Sequence, residues 1–241
     1  MFRIALLAAT VALVACGGGG SGAPAPVAAA SASVEGFWSG TASTGPQVSF
    51  VVLENGETWG LYSSAGSIVG ALYGSTSVNG TSVSGSGSDF NLINRTVAAG
   101  SFTGTVATKA SLNISTSLGT TLNSVYDTSY DQPASLASLA GTYVGQGVTG
   151  RTAPQSTTVT VSALGAVSSS GLGCAANGTA TPRPTGKNVF NISVTFTGAS
   201  CALGNGVVVT GIATFNPATR QLLSMAMNPA KSDGFIYAGT R

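Results

Sequence analysis

Seven acids, nine basic residues, three cysteines and no histidine make up the reactive inventory of this 241-residue chain. Without an imidazole there is no ordinary general base near neutral pH, no Ser-His or Cys-His nucleophile, and none of the commonest metal ligand. A Ser-Lys pair needs a serine three residues before its lysine, and Lys109, Lys187 and Lys231 all lack one. Two carboxylates can divide acid and base work in glycoside hydrolysis. Glu54 and Glu57 are close enough in sequence for that, but they flank Asn55-Gly56, a hairpin-turn dipeptide, and are expected as solvated turn residues. Asp127 and Asp131 could contribute to a calcium site, yet a hard cation takes about six to eight oxygens and no loop supplies the usual spacing. They are assigned instead to a polar linker. Gly145 to Gly150 spells G-x-G-x-x-G, but a dinucleotide site needs a helix after it to meet the pyrophosphate, and Arg151-Thr152-Ala153-Pro154 and an extended run follow. The chain is therefore expected not to be an enzyme, with no catalytic residues, no metal ligands and no cofactor.

The chemistry that remains is that of sulfur. Cys174 opens an expected strand, Gly173 to Thr181; the chain turns at Pro182 to Gly186 and returns as Asn188 to Thr197, with Cys201 just beyond. An antiparallel hairpin brings those open ends together, so a Cys174–Cys201 disulfide is expected, two separately buried thiols being the alternative. Cys16 closes an uncharged run from Ile4 to Val14 that follows Arg3. Such a run is shorter than the roughly 20 residues a bilayer-spanning helix needs, and is the pattern of an export signal.

Leu13-Val14-Ala15-Cys16 resembles the lipobox of bacterial lipoproteins, the alternative being an ordinary signal peptide. The resemblance implies a signal peptide over 1–15, diacylglycerol on the Cys16 thiol, and acylation of the new amino terminus with palmitate-type chains. Two or three such chains give a stable anchor. Gly17 stands where an Asp would favour retention in the inner membrane, so the implied location is the cell outer membrane. Residues 16–33, with Gly17 to Gly20 and then Ala23-Pro24-Ala25-Pro26, are expected to be a tether.

The elements beyond must be β-strands. Only 7% of residues are charged and 34 are glycine, while Val, Ile, Leu and aromatic residues alternate with Ser and Thr in short runs. The net charge of +2 leaves no basic patch for nucleic acid. Expected strands in a first unit, 34–127, are Val34 to Thr41, Val48 to Leu53, Thr58 to Tyr62, Ser67 to Tyr73, Thr81 to Leu92 with a break at its glycines, Gly100 to Ala107, Ser111 to Leu118 and Thr121 to Tyr126. A linker over 128–139 contains one possible helical turn, Ala134 to Leu139. A second unit, 140–241, reads as eight more strands from Gly141 to Thr240. The pattern Gly36-Phe37-Trp38-Ser39-Gly40 recurs at an offset of 105 as Gly141-Thr142-Tyr143-Val144-Gly145, which suggests duplication, although Gly100 to Gly104 shows that a glycine-rich chain can make the pattern by chance. The expected fold class is all-β: two small antiparallel up-and-down β-barrel units in tandem, closed so that no strand edge is exposed.

The opening Gly-x-Trp resembles the first strand of calycin barrels, in which a basic residue of the last strand packs over the aromatic; that resemblance implies Arg241 over Tyr143. Paired barrels on a lipid anchor are similar to the transferrin-binding and complement-regulator-binding surface lipoproteins of Gram-negative bacteria. These readings converge on a lipid-anchored, non-catalytic module of the outer membrane, facing the periplasm or the exterior. It would present a binding or structural surface to an envelope or host protein or glycan. The alternative is a calycin-like carrier of a small apolar ligand.

Overall fold

A computed structural model describes residues 31–171 and 174–241. Strict alternation draws the first barrel: in β1, Gly36–Ala42, the even positions Trp38 and Ala42 are buried and Phe37, Ser39 and Thr41 are more exposed. Then come β2 (Gln47–Val52), β3 (Glu57–Ser64), β4 (Ser67–Asn79), β5 (Ser82–Asn91), β6 (Thr96–Ala107), β7 (Ser111–Thr116) and β8 (Thr121–Asp127). Each strand pairs antiparallel with the next, and β8 closes on β1 with Trp38 opposite Tyr126. The second barrel repeats the plan with β9 (Gly141–Thr149), β10 (Gln155–Val161), β11 (Ala166–Gly171), β12 (Cys174–Pro182), β13 (Phe190–Thr197), β14 (Val208–Asn216), β15 (Gln221–Met227) and β16 (Gly234–Thr240). It closes through β9 and β16. Between the barrels stand a 3-10 turn, Thr128–Asp131, capped by the Asp127 carboxylate, and a one-turn helix α1, Leu136–Leu139, capped by Ser135. The export signal, Cys16 and most of the tether lie outside the described residues, as does Gly173.

The break expected within Thr81 to Leu92 does not occur. β5 runs unbroken through Gly85 and Gly87 because Gly87 is paired with Gly74 on one side and Gly100 on the other. A Cβ on Gly87 would collide with the Tyr73 carbonyl and stand 2.8 Å from the Gly74 Cα. Here glycine admits a close backbone approach across the barrel wall rather than ending a strand.

Both barrels are filled. Trp38, Phe50, Val52, Val83, Val106 and Leu112 pack inside the first; Tyr143, Phe190, Phe196, Val209, Phe215 and Tyr237 pack inside the second. A third apolar layer lies between them, where outward-facing Val51, Trp59 and Leu61 meet outward-facing Ile212, Met225, Met227 and Ile236. β2 and β15 are thus buried on both faces, which is why they read as nearly continuous apolar runs instead of alternating ones. The hairpin of β12 and β13 holds the disulfide: Cys174 and Cys201 are joined with their Cα atoms 4.8 Å apart.

A candidate binding cleft between the barrels

The two barrels are closed at one end by the same device, 105 residues apart. Gly36 and Gly141 take φ values of +151° and +154°, a conformation that side chains disfavour. They lead into Trp38, whose Nε1 donates to the Val34 carbonyl at 2.8 Å, and Tyr143, whose hydroxyl donates to the Leu139 carbonyl at 2.6 Å. Opposite Trp38, Tyr126 packs edge-on at 5.3 Å. The equivalent place beyond β16 belongs to Arg241, whose guanidinium lies 5.4 Å from the Tyr143 ring and 4.9 Å from that of Phe215. It also donates to the carbonyls of Ala140 and Ser138. The contact implied for Arg241 is therefore present, and the first barrel fills the same position with a tyrosine.

The carboxylates are spent on structure, all seven of those in the chain. Glu35 accepts from Tyr130, Glu57 from Tyr73, Asp89 from Tyr62, and Asp127 caps its turn. Burial, reinforced by those carboxylates, pushes the Tyr62, Tyr73 and Tyr130 hydroxyls above the usual phenol range. Asp233 accepts from Arg151 and the Gly150 amide. Glu54 lies in the exposed hairpin turn expected of it, and there Arg183, from the second barrel, reaches across and binds it through Nε and Nη2 at 2.7–3.1 Å. That hydrogen-bonded guanidinium holds the Glu54 carboxyl below its ordinary value.

Asp131 is likewise a fastening. Lys187 of the second barrel donates to it at 2.8 Å and Lys109 of the first at 2.9 Å. Lys187, then Lys109, bring its pKa down to about 2. Lys231 completes the seam, its ammonium lying over the Trp59 ring at 5.3 Å and the Tyr73 ring at 4.8 Å.

Where the seam opens it leaves a cleft of about 210 Å³. Its floor is Phe37, Val51, Trp59, Leu61, Ile212 and Met225, and its rim carries Ser39, Ser49, Thr214, Asn216 and Gln221. On the far side of Trp59 a second cavity of about 30 Å³ is lined by Tyr73, Phe90, Met227 and Asp233. The cleft is apolar below and hydrogen-bonding above, an arrangement suited to holding an amphipathic group. Of the large residues, Trp38, Tyr143, Phe190, Phe196, Phe215 and Tyr237 fill the barrels, although Trp38 and Phe215 also border this cleft, and Trp59 faces it from outside the first barrel. The cleft was legible only as a second apolar face on strands whose first face was already committed to a core.

The architecture defines a class, tandem eight-stranded antiparallel barrels in one chain. No protein-family model and no curated protein sequence matches it. Two solved structures of the vaccine antigen Transferrin Binding Protein B from Haemophilus parasuis, a single and a double mutant, are similar at 8% identity and a TM-score of 0.31. Each covers 81% of this chain, which spans 66% and 65% of their lengths. At that level nothing about activity or partner passes from them to this protein.

Proposed function

We propose that this is an exported, lipid-anchored protein of the cell outer membrane whose fastened barrels act as a non-catalytic binding module. The cleft and the β-surface around it would be offered to an envelope or host protein or glycan. The observation that carries the reading is the cleft itself, open between two barrels whose interiors are filled and whose acids are engaged in holding the fold. The lipobox resemblance at Cys16 supports the anchor.

Two experiments test the two parts separately. Cys16→Ser should release the protein from membranes and remove its acyl mass; retention of the variant in the outer membrane together with an unacylated wild type overturns the anchor. Thr214→Trp should fill the cleft from its rim. Loss of partner cross-linking on intact cells by a variant that keeps its disulfide supports binding there, and unchanged cross-linking overturns it.

The apolar floor favours a second reading, carriage of a small ligand, at a place other than a barrel mouth. A volume of about 210 Å³ falls below the roughly 300 Å³ at which drug-sized pockets begin, so such a ligand is limited to about ten non-hydrogen atoms. Quenching or a spectral shift of Trp59 in a Trp38→Phe background on titration with benzyl alcohol, abolished by Thr214→Phe, would favour carriage.

A further inference from the structure

Closure is incomplete at one place in the wall of the first barrel. β5 pairs with β6 over Thr96 to Thr105, but β7 pairs only with its later part, Phe102 to Ala107. Past that ladder the Ser117 amide donates to the Ser101 carbonyl at 2.8 Å, and there the cover ends. Thr96, Val97, Ala98 and Ala99 are exposed. Among the described residues nothing pairs with the main chain of Thr96 to Gly100 on its β7 side.

The contrast with the barrel's other overhang is informative. β4 also outruns β3, since their pairing stops at Ser75 opposite Glu57. There the Thr76 amide donates to the Gly56 carbonyl and the incoming chain lies over the end, with the Ala32 amide donating to the Gly80 carbonyl at 2.8 Å. Among the described residues one overhang is covered and the other is bare. Bare edges are ordinarily blunted by Lys, by inward charges or by Pro, which prevent self-pairing. Thr96-Val97-Ala98-Ala99-Gly100-Ser101 contains none of these. Instead an apolar rim surrounds it: Val97 on the edge is 56% exposed, Ile93 in the turn before it 70%, and Leu118 beside Ser117 66%.

We propose that this edge pairs antiparallel with the same edge of a second copy of the chain, about a two-fold axis at Ala98. Thr96 then faces the second copy's Gly100, and Val97 faces its Ala99. Each edge supplies the donors and acceptors the other lacks, as an isologous interface requires. Charge permits this register. The pairing ends at Thr96 opposite Gly100, because Ser117 already occupies the place beside Ser101; Arg95 of each copy therefore comes against the second copy's Ser117, and the two arginines stand six residues apart along the strands, about 20 Å at roughly 3.3 Å per residue. That is more than twice the roughly 8 Å screening length in physiological salt. Leu118 of one copy is brought to the turn carrying Ile93 of the other, so the exposed rim is buried at both ends. An edge this short covers less than the roughly 1,600 Å² of a standard interface. The pairing is therefore weak in dilute solution and populated where copies are concentrated.

Ala98→Cys in the full chain tests the axis directly. Residues opposite each other in an antiparallel pair have Cα atoms about 4.5–5.5 Å apart, within disulfide range. Under mild oxidation the variant should give a covalent dimer about tenfold above wild type and above Thr96→Cys, whose thiols would lie too far apart in this register. Adding Ala99→Lys should suppress that dimer about tenfold. Sedimentation of the protein without an introduced cysteine provides an independent check, with wild type self-associating at high concentration and Ala99→Lys remaining monomeric. No excess dimer from Ala98→Cys, equal yield from Thr96→Cys, or a mixed disulfide to a different protein overturns the proposal. So does a wild type that stays monomeric at every concentration. Every arm is run in a Cys16→Ser background, which has neither a lipid nor a free thiol at that position, so that no outcome depends on the anchor.

Discussion

Arg241 shows how much one side chain can hold at a barrel end. Its guanidinium covers Tyr143 and Phe215 while donating to the carbonyls that close α1. Arg241→Ala removes a cation over two rings and leaves those carbonyls without a donor, at a cost of about 1–2 kcal/mol. Thermal unfolding should show a corresponding fall in Tm, while Arg241→Lys should recover only part of it because a single ammonium cannot serve two carbonyls and stack as well. Asp131 is the residue whose contribution depends on pH. Its pKa is lowered in the fold to about 2 from an ordinary 3.8, so the stabilisation is fully present above pH 4 and is lost as pH falls through about 2. Asp131→Asn should therefore unfold more easily than wild type by about 1 kcal/mol, a figure kept small by partial exposure, with the difference constant from pH 7 to pH 4.5 and vanishing near pH 2. Equal differences at all these values would refute the ionic account. The Arg241 contact could be anticipated because a resemblance named its partner. The pairing of Glu54 with Arg183 could not, since 129 residues separate them and nothing local marks either as paired.

At the scale of the strand, local signals were strong. Asn55-Gly56 and Asn79-Gly80 mark the turns that the fold uses, with φ of +80° at Gly56 and +62° at Gly80. The expected Cys174 to Cys201 bridge follows from the hairpin they flank, and closing a loop of 27 residues stabilises by about 3.5 kcal/mol in the chain-entropy account. Replacing both cysteines by serine should lower stability by roughly that amount without changing the β-type circular dichroism at low temperature. What misled was glycine inside β5, because a sequence cannot show that the neighbours of Gly87 are also glycines. The row makes a selective prediction. Gly87→Ala should cost about 2 kcal/mol, since its Cβ meets backbone that cannot withdraw. Gly100→Ala should be nearly neutral, because the nearest atom its Cβ meets is the Ser117 hydroxyl oxygen at 3.7 Å. Chemical denaturation of the two variants decides between close approach and simple strand weakening by glycine, which would predict a gain in stability at both positions.

For the molecule as a whole, the repeated barrel plan was readable and the docking of the halves was not. The repeat at an offset of 105 is carried by three or four residues that close each barrel, whereas the seam depends on outward residues such as Val51, Leu61, Ile212 and Met225, whose partners lie in the other repeat. Severing the chain within Thr128 to Leu139 should leave two β-rich pieces that bind each other or aggregate. Each would expose an apolar face of a kind soluble monomers seldom present. Met225→Glu in the severed pair should abolish their association, and two halves that stay monomeric without it would show that the seam contributes little.

The distribution of indoles across that seam has a practical consequence. The chain has two tryptophans, both in the first barrel, Trp38 in its core and Trp59 on the face that meets the second. The second barrel is consequently dark when emission is excited at 295 nm, and a change in it reaches a fluorimeter chiefly through Trp59, which packs in the layer between the barrels. A Trp59→Phe protein would report the first barrel alone, and a Trp38→Phe protein would report the junction. The two signals together would time the parting of the barrels against the melting of either one.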